Sequence, residues 1–130
     1  MTKQRISTPK APAALGPYSQ GVASGNLLFV SGQTPIDPAT GALVAGDIEA
    51  ATRQVIKNIQ AILQAAGADL EHVLKTTVFL TDMGNFKCMN AVYAEYFTGT
   101  PPARSTIQVS ALPMSAEVEI EAIARLPEKA

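Results

Sequence analysis

Tryptophan is missing from the 130-residue chain, and cysteine and histidine occur once each. The lone Cys88 excludes an internal disulfide, which fits a reducing cytosol. With so few soft ligands a zinc centre is not expected, and no metal is assigned. No run approaches the ~20 apolar residues that span a bilayer. The N-terminal segment Met1-Thr2-Lys3-Gln4-Arg5 lacks the apolar core of a secretory signal, so a cytoplasmic protein is expected. Strong charge of either sign is lacking too. Ten Lys and Arg against eleven Asp and Glu give a net −1, with the basic residues scattered. Recruitment of nucleic acid or an anionic membrane is therefore not expected. What is there is 47% hydrophobic and 16% charged, at a length that suits one domain over 1–130.

The elements follow from periodicity. After an irregular Pro- and Ala-rich lead-in over 1–16, with one short strand around Ile6, two extended runs cover Tyr18–Ser24 and Leu27–Ser31. The turn pair Gly25-Asn26 joins them into a hairpin. Gly32–Gly46 reads as loop. Ile48, Ala51, Val55, Ile59, Ile62, Leu63 and Ala66 recur at helical spacing, with Asp47 as N-cap and Gly67 as stop, so a helix spans 48–66. A β-branched strand follows over 73–81. Asp82 then caps a second helix to about Phe97, with Phe86, Met89, Tyr93 and Phe97 on one face. His72 stands alone before the 73–81 strand and reads as solvated and structural. Cys88, in the second helix, reads as a small buried or semi-buried hydrophobe, with nothing basic placed to activate it.

The richest stretch is Pro101-Pro102-Ala103-Arg104-Ser105-Thr106-Ile107-Gln108-Val109. Two prolines set an extended entry, and period two puts Arg104, Thr106 and Gln108 on one face. Glu117-Val118-Glu119-Ile120-Glu121-Ala122-Ile123-Ala124 alternates as cleanly. Paired as a hairpin of 104–110 with 117–126, the two runs would set a guanidinium and several carboxylates on one face. That suits a small substrate bearing a carboxylate. The same residues would equally suit a cross-strand ion pair. The order ββ-α-β-α-ββ predicts an α+β, two-layer sandwich, with two helices on one face of a mixed sheet. The opposite face is then expected to be covered by another subunit.

The chain resembles the Rid (YjgF/YER) family, RidA branch, in Ala14-Leu15-Gly16-Pro17-Tyr18-Ser19-Gln20-Gly21, Val30-Ser31-Gly32-Gln33, Lys75-Thr76-Thr77-Val78-Phe79, Asn90-Ala91-Val92-Tyr93, Pro102-Ala103-Arg104-Ser105 and Val118-Glu119-Ile120-Glu121. The resemblance implies a chorismate-mutase-like fold and a homotrimer with clefts between subunits. It implies a cofactor-independent enamine/imine deaminase. Such an enzyme converts 2-iminobutanoate and 2-iminopropanoate, which escape from pyridoxal-phosphate-dependent dehydratases, to 2-keto acids and ammonia. Carried over residue by residue, Arg104 holds the substrate carboxylate, Glu119 positions water and Tyr18 completes the catalytic set. Ser31, Gly32, Asn90 and Thr106 line the substrate site. Thr106 stands where many members have cysteine. The sequence leaves open a keto-acid-binding or sensing trimer without turnover, a deaminase for aminomuconate- or aminoacrylate-peracid-type substrates, and a chaperone-like or RNA-directed role.

Overall fold

The helical run of apolar residues after Asp47 forms helix α1, Ile48–Ala65, in the computed structural model, which describes residues 2–128. Met1, Lys129 and Ala130 lie outside the described residues. The Asp47 carboxylate accepts from the main-chain N–H groups of Glu49 and Ala50, and Gly67, at φ +85°, turns the chain out of the helix. Val55, Ile56, Ile59, Ile62 and Leu63 are fully buried against the sheet. Each buried side chain of this size contributes roughly 1.5–3 kcal/mol relative to exposure.

The strands are β1 (Gln4–Ile6), β2 (Gly21–Ser24), β3 (Leu27–Gln33), β4 (Val73–Leu80), β5 (Ala103–Gln108) and β6 (Val118–Arg125), and the second helix, α2, is Phe86–Tyr96. They form one six-stranded sheet in the order β1-β2-β3-β6-β4-β5. Only β4 and β5 run parallel, joined by the crossover through α2; the other pairs are antiparallel. The expected α+β architecture is therefore present: a mixed sheet with both helices packed on one face. The Asp82 cap serves a short 3-10 turn, Met83–Asn85, which feeds α2.

The expected terminal hairpin is not formed. β5 pairs with β4 alone, and β6 lies between β3 and β4. The burial pattern gives the reason. Ile120, Ala122 and Ala124 face the helices almost completely buried, which asks for a central strand. β5 exposes Ser105, Ile107 and Gln108, which suits an edge.

On the face away from the helices, Phe29 and Ile107 are each 45% exposed, and Phe79 and Ile123 lie half-buried with Glu119 and Glu121 beside them. The connection from β3 to α1 is more ordered than the loop expected there. Ile36 bridges Leu43, and buried Asn58 of α1 donates from Nδ2 to the carbonyls of Thr34 (3.2 Å) and Ile36 (2.9 Å). Asn58→Leu leaves both carbonyls unpaired and is expected to destabilise the protein by about 2–4 kcal/mol. Urea unfolding at fixed protein concentration measures this. His72 has a structural role, its Nδ1 accepting from the Asp69 N–H at 2.9 Å. Cys88 is exposed rather than semi-buried.

Candidate functional site

Alternation along β6 aims Val118, Ile120, Ala122 and Ala124 at the helices and Glu119 and Glu121 away from them. Glu119 stands opposite Phe79, and Glu121 opposite Thr77. Next to them β3 carries one extra residue: Val30 pairs with Ala122, but Gln33 with Ile120. The bulge brings Gly32 against the Glu119 side chain. A Cβ on Gly32 would lie 2.8 Å from the Glu119 carboxyl carbon, so only glycine leaves the carboxylate its seat. Burial, with Glu121 adding like charge, pushes the Glu119 carboxyl above its ordinary range.

Ser31 precedes this seat in the chain and is bonded to the segment that carries Tyr18. The Ser31 hydroxyl donates to the Ser19 carbonyl at 2.6 Å, and its N–H donates to the Gln20 carbonyl at 2.9 Å. Tyr18 lies in an irregular segment rather than in the strand expected from 18, since β2 begins at Gly21. Its phenol oxygen accepts from the Leu15 N–H at 3.3 Å, which leaves the O–H free to donate. Gln20 organises the lead-in, a role that sequence reasoning missed. Its amide accepts from the Thr8 N–H and donates to the carbonyls of Thr8, Ala11 and Pro12. A groove of about 770 Å³ runs between this lead-in and Tyr18, away from Arg104, Asn90, Thr106, Gly32 and Glu119.

Arg104 belongs to a different surface. In the parallel ladder it is level with Thr76, which is fully buried and bonded to Tyr93 of α2. Its guanidinium carbon lies 4.7 Å from the Tyr93 ring centre and 5.5 Å from that of Phe86. Asn90 sits between these two aromatics on α2. Thr106, level with Val78, turns to the same side. No carboxylate lies within ion-pair distance of Arg104 among the described residues, where the one ion pair is Arg53–Glu95.

Arg104 and Glu119 therefore do not share a face, as a hairpin would have required. Position 76, level with Arg104, and position 79, level with Glu119, are an odd number of residues apart on β4, so the two side chains leave opposite sides of the sheet. The cross-strand ion pair is excluded by the same geometry. One protomer thus presents two candidate half-sites: Arg104, Asn90 and Thr106 on one surface, and Gly32 and Glu119 on another, with Ser31 next to Gly32 in the chain and Tyr18 on the lead-in groove, tied to Ser31 through Ser19.

Within the first half-site the Thr106 hydroxyl is buried and has no hydrogen-bond partner. A buried hydroxyl in this state costs stability unless something binds it. Thr106→Val is expected to leave the unfolding free energy unchanged or raise it by up to about 1 kcal/mol. Urea titration of the variant beside the wild type checks this expectation.

Residues 8–126 match the family model described as Endoribonuclease L-PSP. The mouse protein named 2-iminobutanoate/2-iminopropanoate deaminase is 51% identical over 119 residues, covering 92% of this chain and 88% of its own. The YjgF gene product of E. coli superposes with a TM-score of 0.91 at 46% identity, over 94% of this chain and 98% of that one. The chain belongs to the Rid family. Another Rid structure, E. coli TdcF with bound serine, matches with a TM-score of 0.92 at 42% identity, over 95% of this chain and 99% of its own. No helix among the described residues is long and apolar enough to cross a membrane.

Proposed function

We propose that the protein hydrolyses small 2-imino acids such as 2-iminobutanoate and 2-iminopropanoate to 2-keto acids and ammonia. It would do so at sites formed between subunits of a homotrimer. The observation that carries this reading is the presence of an uncompensated guanidinium and a half-buried carboxylate, its pKa raised by burial, on opposite faces of one sheet. Neither half-site is sufficient alone. The helix-side edge of one protomer must meet the open face of the next to bring Arg104 to Glu119. The apolar side chains of that open face, Phe29 and Ile107 foremost, supply a surface that association would bury.

The chemistry asks little of the protein. Arg104 takes the substrate carboxylate through two parallel N–H bonds and fixes the position of C2. Glu119 of the adjacent protomer orients water and accepts its proton as the C–O bond forms. The carbinolamine then collapses to the keto acid, with a proton passing to the departing ammonia. A carboxyl whose pKa is raised by burial exchanges protons closer to neutrality than an exposed one. Tyr18 offers its free O–H to the substrate or the water. These groups require no cofactor. The mouse relative named for this activity, and TdcF with its bound amino acid, fit a site that takes a small carboxylate. The substrates would come from pyridoxal-phosphate-dependent dehydratases that release enamines in the same compartment, the cytoplasm.

The ribonucleolytic activity in the family's description would ask for cations that track a phosphate backbone. This chain has a net charge of −1, and its site arginine faces aromatic rings. The test is to generate 2-iminobutanoate enzymatically and follow its loss against semicarbazide trapping, with sedimentation of the same sample. Faster hydrolysis from a trimer supports the reading. Binding of 2-ketobutanoate without faster hydrolysis would make the protein a sensor instead.

A further inference from the structure

Arg104 is held by rings and not by an acid. Phe86 and Tyr93 lie two turns apart on one stripe of α2, and the guanidinium sits over both. Tyr93 is itself fixed from two sides. Its phenol oxygen shares a 2.7 Å hydrogen bond with the Thr76 hydroxyl, and its ring centre lies 4.4 Å from that of Phe97. Thr76 is the residue level with Arg104 in the β4–β5 ladder. The contacts therefore close a circuit: β4 fixes Tyr93, Tyr93 holds Arg104, and Arg104 rises from the strand paired to β4.

A flexible arginine can be ordered in two ways. A carboxylate partner orders it by occupying its N–H groups. Aromatic faces order it through the π-system and leave the N–H fork free. Only the second suits a residue that must offer that fork to a ligand. We propose that Phe86 and Tyr93 are positioning residues: an aromatic cradle, locked by Thr76, that holds the Arg104 guanidinium with its N–H fork open to the substrate carboxylate. This rests on the reading of Arg104 as the carboxylate ligand.

The cradle acts on binding and not on water attack, so its loss should split the kinetic constants. Phe86 is 36% exposed, and leucine in its place keeps the apolar contact without the π-face. Phe86→Leu is expected to raise both KM for 2-iminobutanoate and Kd for 2-ketobutanoate by about three- to tenfold, the range of a partly desolvated cation–π contact. The kcat should stay within about twofold. Phe86→Trp returns a π-face and should restore both constants. Tyr93→Phe keeps the ring but loses the Thr76 anchor, and should shift KM in the same direction by less.

Calorimetry with 2-ketobutanoate is run on wild type, Arg104→Ala and Phe86→Leu, beside steady-state kinetics. A wild type that does not bind the keto acid removes the carboxylate reading, and the cradle with it. Binding that depends on Arg104 but is not weakened by Phe86→Leu overturns the cradle alone. So does a Phe86→Leu variant that lowers kcat while leaving KM unchanged.

Discussion

Arg104→Ala is expected to lower kcat/KM for 2-iminobutanoate by several hundredfold or more while the protein stays folded and assembled. The magnitude follows from the interaction removed. A buried, hydrogen-bonded charge pair loses about 3–5 kcal/mol when one partner is deleted, and each ~1.4 kcal/mol is tenfold in rate. The insensitivity of the fold follows from the surroundings. Arg104 has no ion-pair partner among the described residues, so its removal strands no charge; it gives up only its contacts with Phe86 and Tyr93. Partly desolvated contacts of this kind contribute roughly 0.5–2 kcal/mol each. Arg104→Lys keeps the charge but not the fork, and should recover only part of the loss. Steady-state kinetics beside sedimentation and thermal unfolding measure all three properties. Dissociation of the proposed trimer in Arg104→Ala would show that the residue serves assembly instead.

Because the two half-sites lie on opposite faces, the proposed assembly makes a second demand. Mixed oligomers of Arg104→Ala and Glu119→Gln chains should regain activity, since some seams then combine an intact Arg104 surface with an intact Glu119 surface. A site contained within one protomer would gain nothing from mixing.

How much of this was legible in the chain differs between elements. Helix α1 was readable because its signals agree: a capping aspartate, an apolar stripe at helical spacing, and a glycine whose left-handed φ ends the run. The two-faced character of β6 was readable for the same reason. The pairing of β5 with β6 was misread because alternation reports which side chains share a face of one strand and says nothing of its neighbour. Sequence proximity filled that gap wrongly. The apolar stripe of β6 and the mixed, polar run of β5 already distinguish a centre from an edge, and the β-α-β order of β4, α2 and β5 announces a parallel crossover. The face of Arg104 relative to Glu119 could not be recovered without the register of both strands on β4. Asn58 was missed although it interrupts the buried stripe of α1 between Val55 and Ile62, where a polar residue signals a buried hydrogen-bonding duty. Gln20 carried no such flag, because its partners are the main-chain groups of an irregular segment.

Gly32→Ala is the second substitution expected to have a large effect, and its logic is steric. Gly32 has no positive φ, so alanine meets no backbone strain there. The added methyl instead enters space held by the Glu119 carboxyl group, 2.8 Å from its carbon. What it meets is the end of a flexible side chain, so the carboxylate moves and the sheet does not. Stability should therefore fall by no more than about 1 kcal/mol, whereas kcat should fall about a hundredfold or more, the contribution of a positioned general base. Glu119→Gln should produce a loss of similar size with the seat intact. The decisive comparison is the double variant. If Gly32 acts only by seating Glu119, then Gly32→Ala with Glu119→Gln is no slower than Glu119→Gln alone, because a misplaced amide and a well-placed one serve equally badly as bases. Losses that multiply in the double variant would mean that Gly32 contacts the substrate in its own right. A fully active Gly32→Ala would mean that the observed position of the carboxylate is not the one that steers water.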